Sequence, residues 1–183
     1  MARGRPSKKQ QIVQAAAQLF SEQGYQGTSV DQVVAAAAVS KPTVYSNFPS
    51  KQVLWEEVLS GLVLGAEGVF DSVTAKAWQA CWCQSWELWV NEPTRLAAYR
   101  IMWGEPYKMS DAARQRFERL EYCLIQQLKT LLPDDNEDSF LDLYEVSLST
   151  WLLPLLNCQE RSVVKAAQAA RFERWAACLL KPA

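Results

Sequence analysis

Between Val39 and Lys51 the chain reads VSKPTVYSNFPSK. Lys41, Thr43, Tyr45, Ser46 and Asn47 fall on one side of a short segment, while Val44 and Phe48, four residues apart, fall on the other. A cation, two hydroxyls, a phenol and an amide are the donors that phosphate oxygens and base edges require. Lys41 and Ser46 are expected at base edges, and Thr43, Tyr45 and Lys51 at phosphates. Lys51 sits in the first turn of the following helix, where the helix dipole disfavours a cation and a nearby phosphate would compensate. Asn47 can also donate to a phosphate. The opening MARGRP brings Arg3 and Arg5 on a basic arm, which is either solvated or in contact with phosphates or a minor groove.

A second constellation is aromatic. The chain carries 8 tryptophans, and Trp78, Trp82, Trp86 and Trp89 recur at helical spacing along one face. Tyr99, Trp103 and Tyr107 follow in the next segment. These rings either pack as core or line a cavity between helices. Trp82, Trp86, Trp89, Tyr99, Trp103 and Tyr107 are the candidates for such a cavity, which suits a flat apolar ligand or a cation above an indole. Glu87 and Glu105 lie nearby in sequence.

Composition removes several chemistries. With no histidine at all, Ser-His and Cys-His nucleophile pairs and His-containing zinc sites are excluded. No phosphate-cradling glycine loop or nucleophile-base pair is evident, so an enzyme is not expected, nor a cofactor or metal. Cys81 and Cys83 are too close for an ordinary disulfide, and 5 cysteines without framework spacing suit reduced thiols in a cytoplasm. No apolar run is long enough to span a bilayer, so no membrane partner is expected. The net charge of −1 hides an asymmetry: residues 1–51 hold six Lys or Arg and two acids, whereas the remainder is net acidic. A basic front suits contact with a polyanion.

The elements that must position these groups are all helical. Ser7 with Gln10 makes a capping box for a helix that buries Ile12, Val13, Ala16, Leu19 and Phe20 and ends at Gly24. Ser29 with Gln32 repeats the device for a helix facing inward with Val30, Val33, Val34 and Ala37. Ser40 caps the third helix, with Pro42 in its first turn and Pro49 beyond its end. A fourth runs from Lys51 to about Glu67 with Leu54, Trp55, Val58, Leu59 and Leu62 inward, and Gly61, Gly65 and Gly68 allow close approach or bending. Further helices are predicted near 74–91, 94–103, 110–132, 138–153 and 160–180, with Pro154 kinking or ending the eighth. No strand alternation is sustained. Stripes at Leu141, Tyr144, Leu148, Trp151, Leu152 and Leu155, and at Phe172, Trp175, Ala176 and Leu179, suit either internal burial or a partner helix.

The pieces IVQAAAQLF, GYQGTSVDQVV and VSKPTVYSNFPSK, at these spacings, resemble the DNA-binding domain of the TetR family of bacterial helix-turn-helix regulators over about Ser7 to Leu54. The chain departs from the family's usual form at Ala38, where glycine is common and a positive φ would carry strain, and at Asn47, where histidine is frequent. The resemblance implies an all-α fold: a three-helix helix-turn-helix domain over residues 1–50, and a larger ligand-binding and dimerisation domain over 51–183, about nine helices in all. It implies a homodimer through the last two helices, here Leu148, Trp151, Leu152, Phe172, Trp175 and Leu179. It further implies a repressor released from a palindromic double-stranded DNA operator by a small hydrophobic or aromatic effector. The alternative is a DNA-binding dimer with no small-molecule effector.

Overall fold

A computed structural model describes residues 7–132 and 137–157, and the secondary structure of these residues is helical, without strands. Helices α1 (Lys8–Gly27), α2 (Val30–Ala36), α3 (Lys41–Asn47) and α4 (Lys51–Ala66) are followed by α5 (Trp78–Val90), α6 (Pro93–Gly104), α7 (Asp111–Lys129) and α8 (Glu137–Ser147). Short 3-10 turns lie at Val69–Ser72 and Pro106–Lys108. The predicted helix at 160–180 lies outside the described residues.

The chain groups into two compact units, one of Met1–Ala66 with Pro93–Glu121, the other of Glu67–Glu92 with Tyr122–Ala183. This grouping does not follow a cut at residue 50, because α4 packs on α1 and so does α6.

In the first unit, local chemistry sets the helix ends. Both predicted capping boxes form: the Ser7 hydroxyl accepts from the Gln10 backbone and the Ser29 hydroxyl from that of Gln32, while each glutamine side chain accepts from its serine's backbone N–H. Gly24 leaves helical geometry at φ 72°, so the regular part of α1 ends where the sequence indicates and the turn to Gly27 follows a kink. Ile12, Ala16 and Phe20 are fully buried, as is Trp55 of α4. The Phe20 ring meets Trp55 edge-on at 5.0 Å and stacks on Tyr25 at 5.8 Å. Val33, Val44 and Phe48 complete this core from α2 and α3, whereas Val13, Leu19, Val30 and Val34 are only half-buried.

The same unit ties α4 to α7. Ser110 caps α7 by accepting from the Ala113 N–H at 3.0 Å and donates to Glu56 Oε1 at 2.6 Å. Arg116 Nε donates to Ser60 Oγ at 2.9 Å. Around α6, Tyr99 sits edge-on to Phe117 at 5.0 Å and to Trp103 at 5.2 Å. Close approach is not found at Gly61 or Gly65, where a Cβ would meet nothing within 4 Å; Gly68, just beyond α4, needs its freedom at φ +70°, and a Cβ there would lie 2.7 Å from Asp71 Oδ2.

In the second unit, α5 starts at Trp78 rather than near residue 74. The Gln84 side chain accepts from the backbone N–H groups of Thr74 and Ala75 at 3.3 and 3.4 Å, folding that stretch back as a loop. The core is built on indoles: Trp82, Trp86 and Trp89 are fully buried. Trp82 Nε1 donates to Ser147 Oγ at 2.8 Å, its ring lies edge-on to Phe140 at 6.1 Å, and Trp86 stacks on Trp151 at 6.0 Å. Losing one such ring to alanine would cost about 3–5 kcal/mol. Beyond α8, a π-helical turn at Leu148–Leu152 leads into an α-helical turn at Leu153–Leu156. Pro154 neither ends nor sharply breaks the helix there. The wider turn before it takes up the missing N–H and the ring's clash with the carbonyl four residues back.

The corner between α2 and α3 is a Schellman turn. Val39 N–H reaches Val34 O at 3.3 Å and Ala38 N–H reaches Ala35 O at 3.2 Å, with Ala38 at φ 51°. A Cβ is strained in this left-handed region. Replacing Ala38 with glycine is therefore expected to raise stability by about 1 kcal/mol, a melting-temperature gain of about 2–4 °C in thermal unfolding followed by circular dichroism.

Candidate nucleic-acid interface

Seven residues cannot hold a helix in water unaided, so α3 depends on its cap and its buried side. The Ser40 hydroxyl accepts from the Thr43 N–H, with Pro42 in the first turn. Val44 and Phe48, 1% and 2% exposed, anchor the inner side. The outer side is left to Lys41, Tyr45, Ser46 and Asn47, all exposed, with Thr43 half-buried between them. Tyr45 keeps 43% of its surface in solvent.

The donors are not all free. Ser46 Oγ and Asn47 Nδ2 both donate back to the Thr43 carbonyl, at 3.0 and 2.8 Å. In this arrangement Ser46 presents an acceptor, which suits the exocyclic amine of adenine or cytosine. Thr43 Oγ1 lies 2.7 Å from Ser40 Oγ. Lys41 Nζ is 2.7 Å from Asp31 Oδ1, a partner in the first turn of α2 that the sequence reading did not single out. That carboxylate raises the Lys41 pKa, chiefly through the hydrogen bond. Nothing in the spacing announced it, because residues 31 and 41 meet only after the corner at Ala38 folds.

Lys51 has a protein partner of its own. Its Nζ donates to Tyr25 O at 2.8 Å and to Thr28 O at 3.0 Å, and lies 4.4 Å from the centre of the Tyr25 ring. The carbonyls at the end of α1, with the aromatic face, supply the compensation that the sequence argument sought in a phosphate. Burial lowers the Lys51 pKa, and Glu105 partly restores it. Two of the three ammonium donors are used, and one is left for an outside ligand. Arg3 and Arg5 lie outside the described residues.

The aromatic candidates separate. Trp82, Trp86 and Trp89 belong to the interior of the second unit, and Tyr99 to that of the first. Trp103 and Tyr107 are at the surface of the first, 41% and 76% exposed, so they do not join an enclosed wall there. Two buried polar atoms of α5, Ser85 Oγ and Trp86 Nε1, have no hydrogen-bond partner among the described residues. Among the expected dimer contacts, Trp151 and Leu152 are 2% and 1% exposed and serve their own unit, since Trp151 stacks on Trp86. Leu148 is half-buried, whereas Leu141 and Leu153 are exposed. Phe172, Trp175 and Leu179 lie outside the described residues.

Lys51→Ala is expected to remove the cation that closes α1, costing about 1–2 kcal/mol even without DNA, read as a melting-temperature fall of about 3–6 °C. It should also weaken binding to all DNA sequences and lower the salt slope of binding by about one unit. A fall in stability with an unchanged slope would assign Lys51 to the fold alone.

A family profile described as "Bacterial regulatory proteins, tetR family" matches residues 12–58, the span that builds α1 to α3 and the start of α4. The HTH-type transcriptional repressor DhaR of Mycobacterium sp. (strain GP1) is 39% identical over 51 residues, 28% of this chain and 26% of that protein. The biofilm operon icaADBC HTH-type negative transcriptional regulator IcaR of Staphylococcus aureus (strain Newman) is 37% identical over 49 residues, 27% of this chain and 26% of that protein. The chain thus matches about a quarter of the length of these relatives. Likeness of fold extends much further. A putative TetR-family regulator from Mesorhizobium loti superposes with a TM-score of 0.70 at 21% identity, covering 93% of this chain and 96% of that one. A TetR transcriptional regulator from Legionella pneumophila gives 0.74 at 16% identity, covering 94% and 98%. Residues 12–58 thus carry the segment that the tetR family profile describes, and the fold of the chain is similar to that of these solved regulators.

Proposed function

We propose that the protein is a dimeric transcriptional regulator, a repressor that grips a palindromic operator and is released by a small hydrophobic or aromatic effector. Residues 1–50 serve as the DNA-binding module and 51–183 as the module for effector and dimer. The observation that carries the DNA-binding reading is the division of α3 into a buried side of Val44 and Phe48 and an outer side of Lys41, Thr43, Tyr45, Ser46 and Asn47. Those groups contact DNA, with the third donor of Lys51 and the arginines at positions 3 and 5 on the phosphates. In a two-fold dimer, two such helices enter successive major grooves when they lie about one helical turn apart, roughly 34–36 Å. An effector that binds better to a dimer of different spacing lowers DNA affinity by the factor that DNA lowers its own. Among the described residues no helix is long and apolar enough to cross a membrane, in keeping with a regulator acting in the cytoplasm.

The effector reading is supported by Ser85 Oγ and Trp86 Nε1, buried on α5 without a hydrogen-bond partner among the described residues. A buried donor left unmade costs about 1–3 kcal/mol, which a ligand bearing an acceptor would recover. The full burial of Trp82, Trp86 and Trp89 favours the second reading, a DNA-binding dimer without an effector. In that case the indoles are core only.

Selection of bound fragments from random DNA is expected to return a palindrome with half-sites one turn apart, and failure to enrich any sequence would refute DNA recognition. With the selected operator in hand, a metabolite panel read by tryptophan fluorescence and operator release separates the two readings. Trp86→Phe should retain fold and operator binding while weakening release by the effector about tenfold. Absence of any releasing compound would favour the second reading.

A further inference from the structure

The ion pair between Lys41 and Asp31 has no evident structural purpose. Both partners are exposed, 55% and 71% by side chain, and such pairs add at most about 1 kcal/mol to stability. Yet its position is unusual. Asp31 is one of two acids in the first 51 residues, the other being Glu22, which accepts from Gln18 on α1. Lys41 is the only cation of α3, at its N-terminal end, and the N-terminal residues of a recognition helix are those that reach base edges. A carboxylate beside that cation, on a face offered to a polyanion, lowers overall affinity. Its gain must lie elsewhere.

We propose that Asp31 is a specificity-determining residue, which holds the Lys41 ammonium for a guanine edge and penalises its use on DNA phosphates. This rests on the DNA-binding reading above. An ammonium has three donors and no acceptor. With one donor on Asp31, two remain, and guanine offers two acceptors, N7 and O6, in the major groove. At such a base pair Lys41 satisfies the base and keeps its carboxylate. On unrelated DNA it gains only by leaving Asp31 for a phosphate, and the abandoned carboxylate then faces the backbone charge uncompensated. The cost falls on the non-specific mode, so the pair widens the gap between operator and bulk DNA without tightening either.

The test is Asp31→Asn, measured against the selected operator and against random duplex across a salt series. Random-DNA affinity is expected to rise about fivefold, with its salt slope steeper by about one unit, while operator affinity changes less than twofold. The ratio of the two therefore falls about fivefold. Lys41→Gln should remove the preference for guanine at one operator position, and adding Asp31→Asn to it should leave the ratio where Lys41→Gln put it. An operator-to-random ratio unchanged by Asp31→Asn, or equal losses on both DNAs, would overturn the inference while leaving DNA binding intact. Failure of the wild-type chain to select any sequence would overturn both.

Discussion

A helix of seven residues exists only where something else holds it. Here that constraint is met by burial of Val44 and Phe48 and by two caps, the Ser40 hydroxyl at one end of α3 and the Schellman turn at Ala38 before it. The rest of the first unit extends this support. Phe20, Tyr25 and Trp55 form an aromatic junction between α1 and α4, and Lys51 closes it by bonding the Tyr25 and Thr28 carbonyls. The side chains left over on α3 are free to be chosen for chemistry because they carry no packing duty. The α2–α3 corner shows the cost: a positive φ at an alanine is accepted because the turn geometry fixes how α3 is presented.

The same junction gives α4 two roles within its unit. Near its start, Lys51 binds the end of α1; further along, Glu56 and Ser60 accept from Ser110 and Arg116 of the α7 segment. In the second unit, the indoles that sequence spacing placed on one face of α5 became a packed interior. Trp82 is satisfied by Ser147, whereas Trp86 Nε1 has no hydrogen-bond partner among the described residues.

Much of the first unit was legible because its signals are local. Capping boxes, a proline in a first turn and a glycine at a helix end act within four residues, and the helices begin and end accordingly. What the sequence hid was non-local. Asp31 meets Lys41, and Lys51 meets the Tyr25 carbonyl, only after corners fold. The start of α5 moved because a glutamine ten residues on binds the Thr74 N–H, a contact no periodicity encodes. Periodicity marked Trp151 and Leu152 as apolar, but it cannot say whether an apolar stripe faces its own unit or a partner. In the structure Trp151 stacks on Trp86 of its own unit.

The central claim is that the outer side of α3 is the surface that meets duplex DNA. Its most direct test is nuclear magnetic resonance of the labelled chain during titration with the selected operator. The account expects the largest amide shift changes at Lys41, Thr43, Tyr45, Ser46 and Asn47, with Val44 and Phe48 changing least within that stretch. Saturable binding that leaves those outer amides unmoved, and perturbs another surface instead, would contradict it.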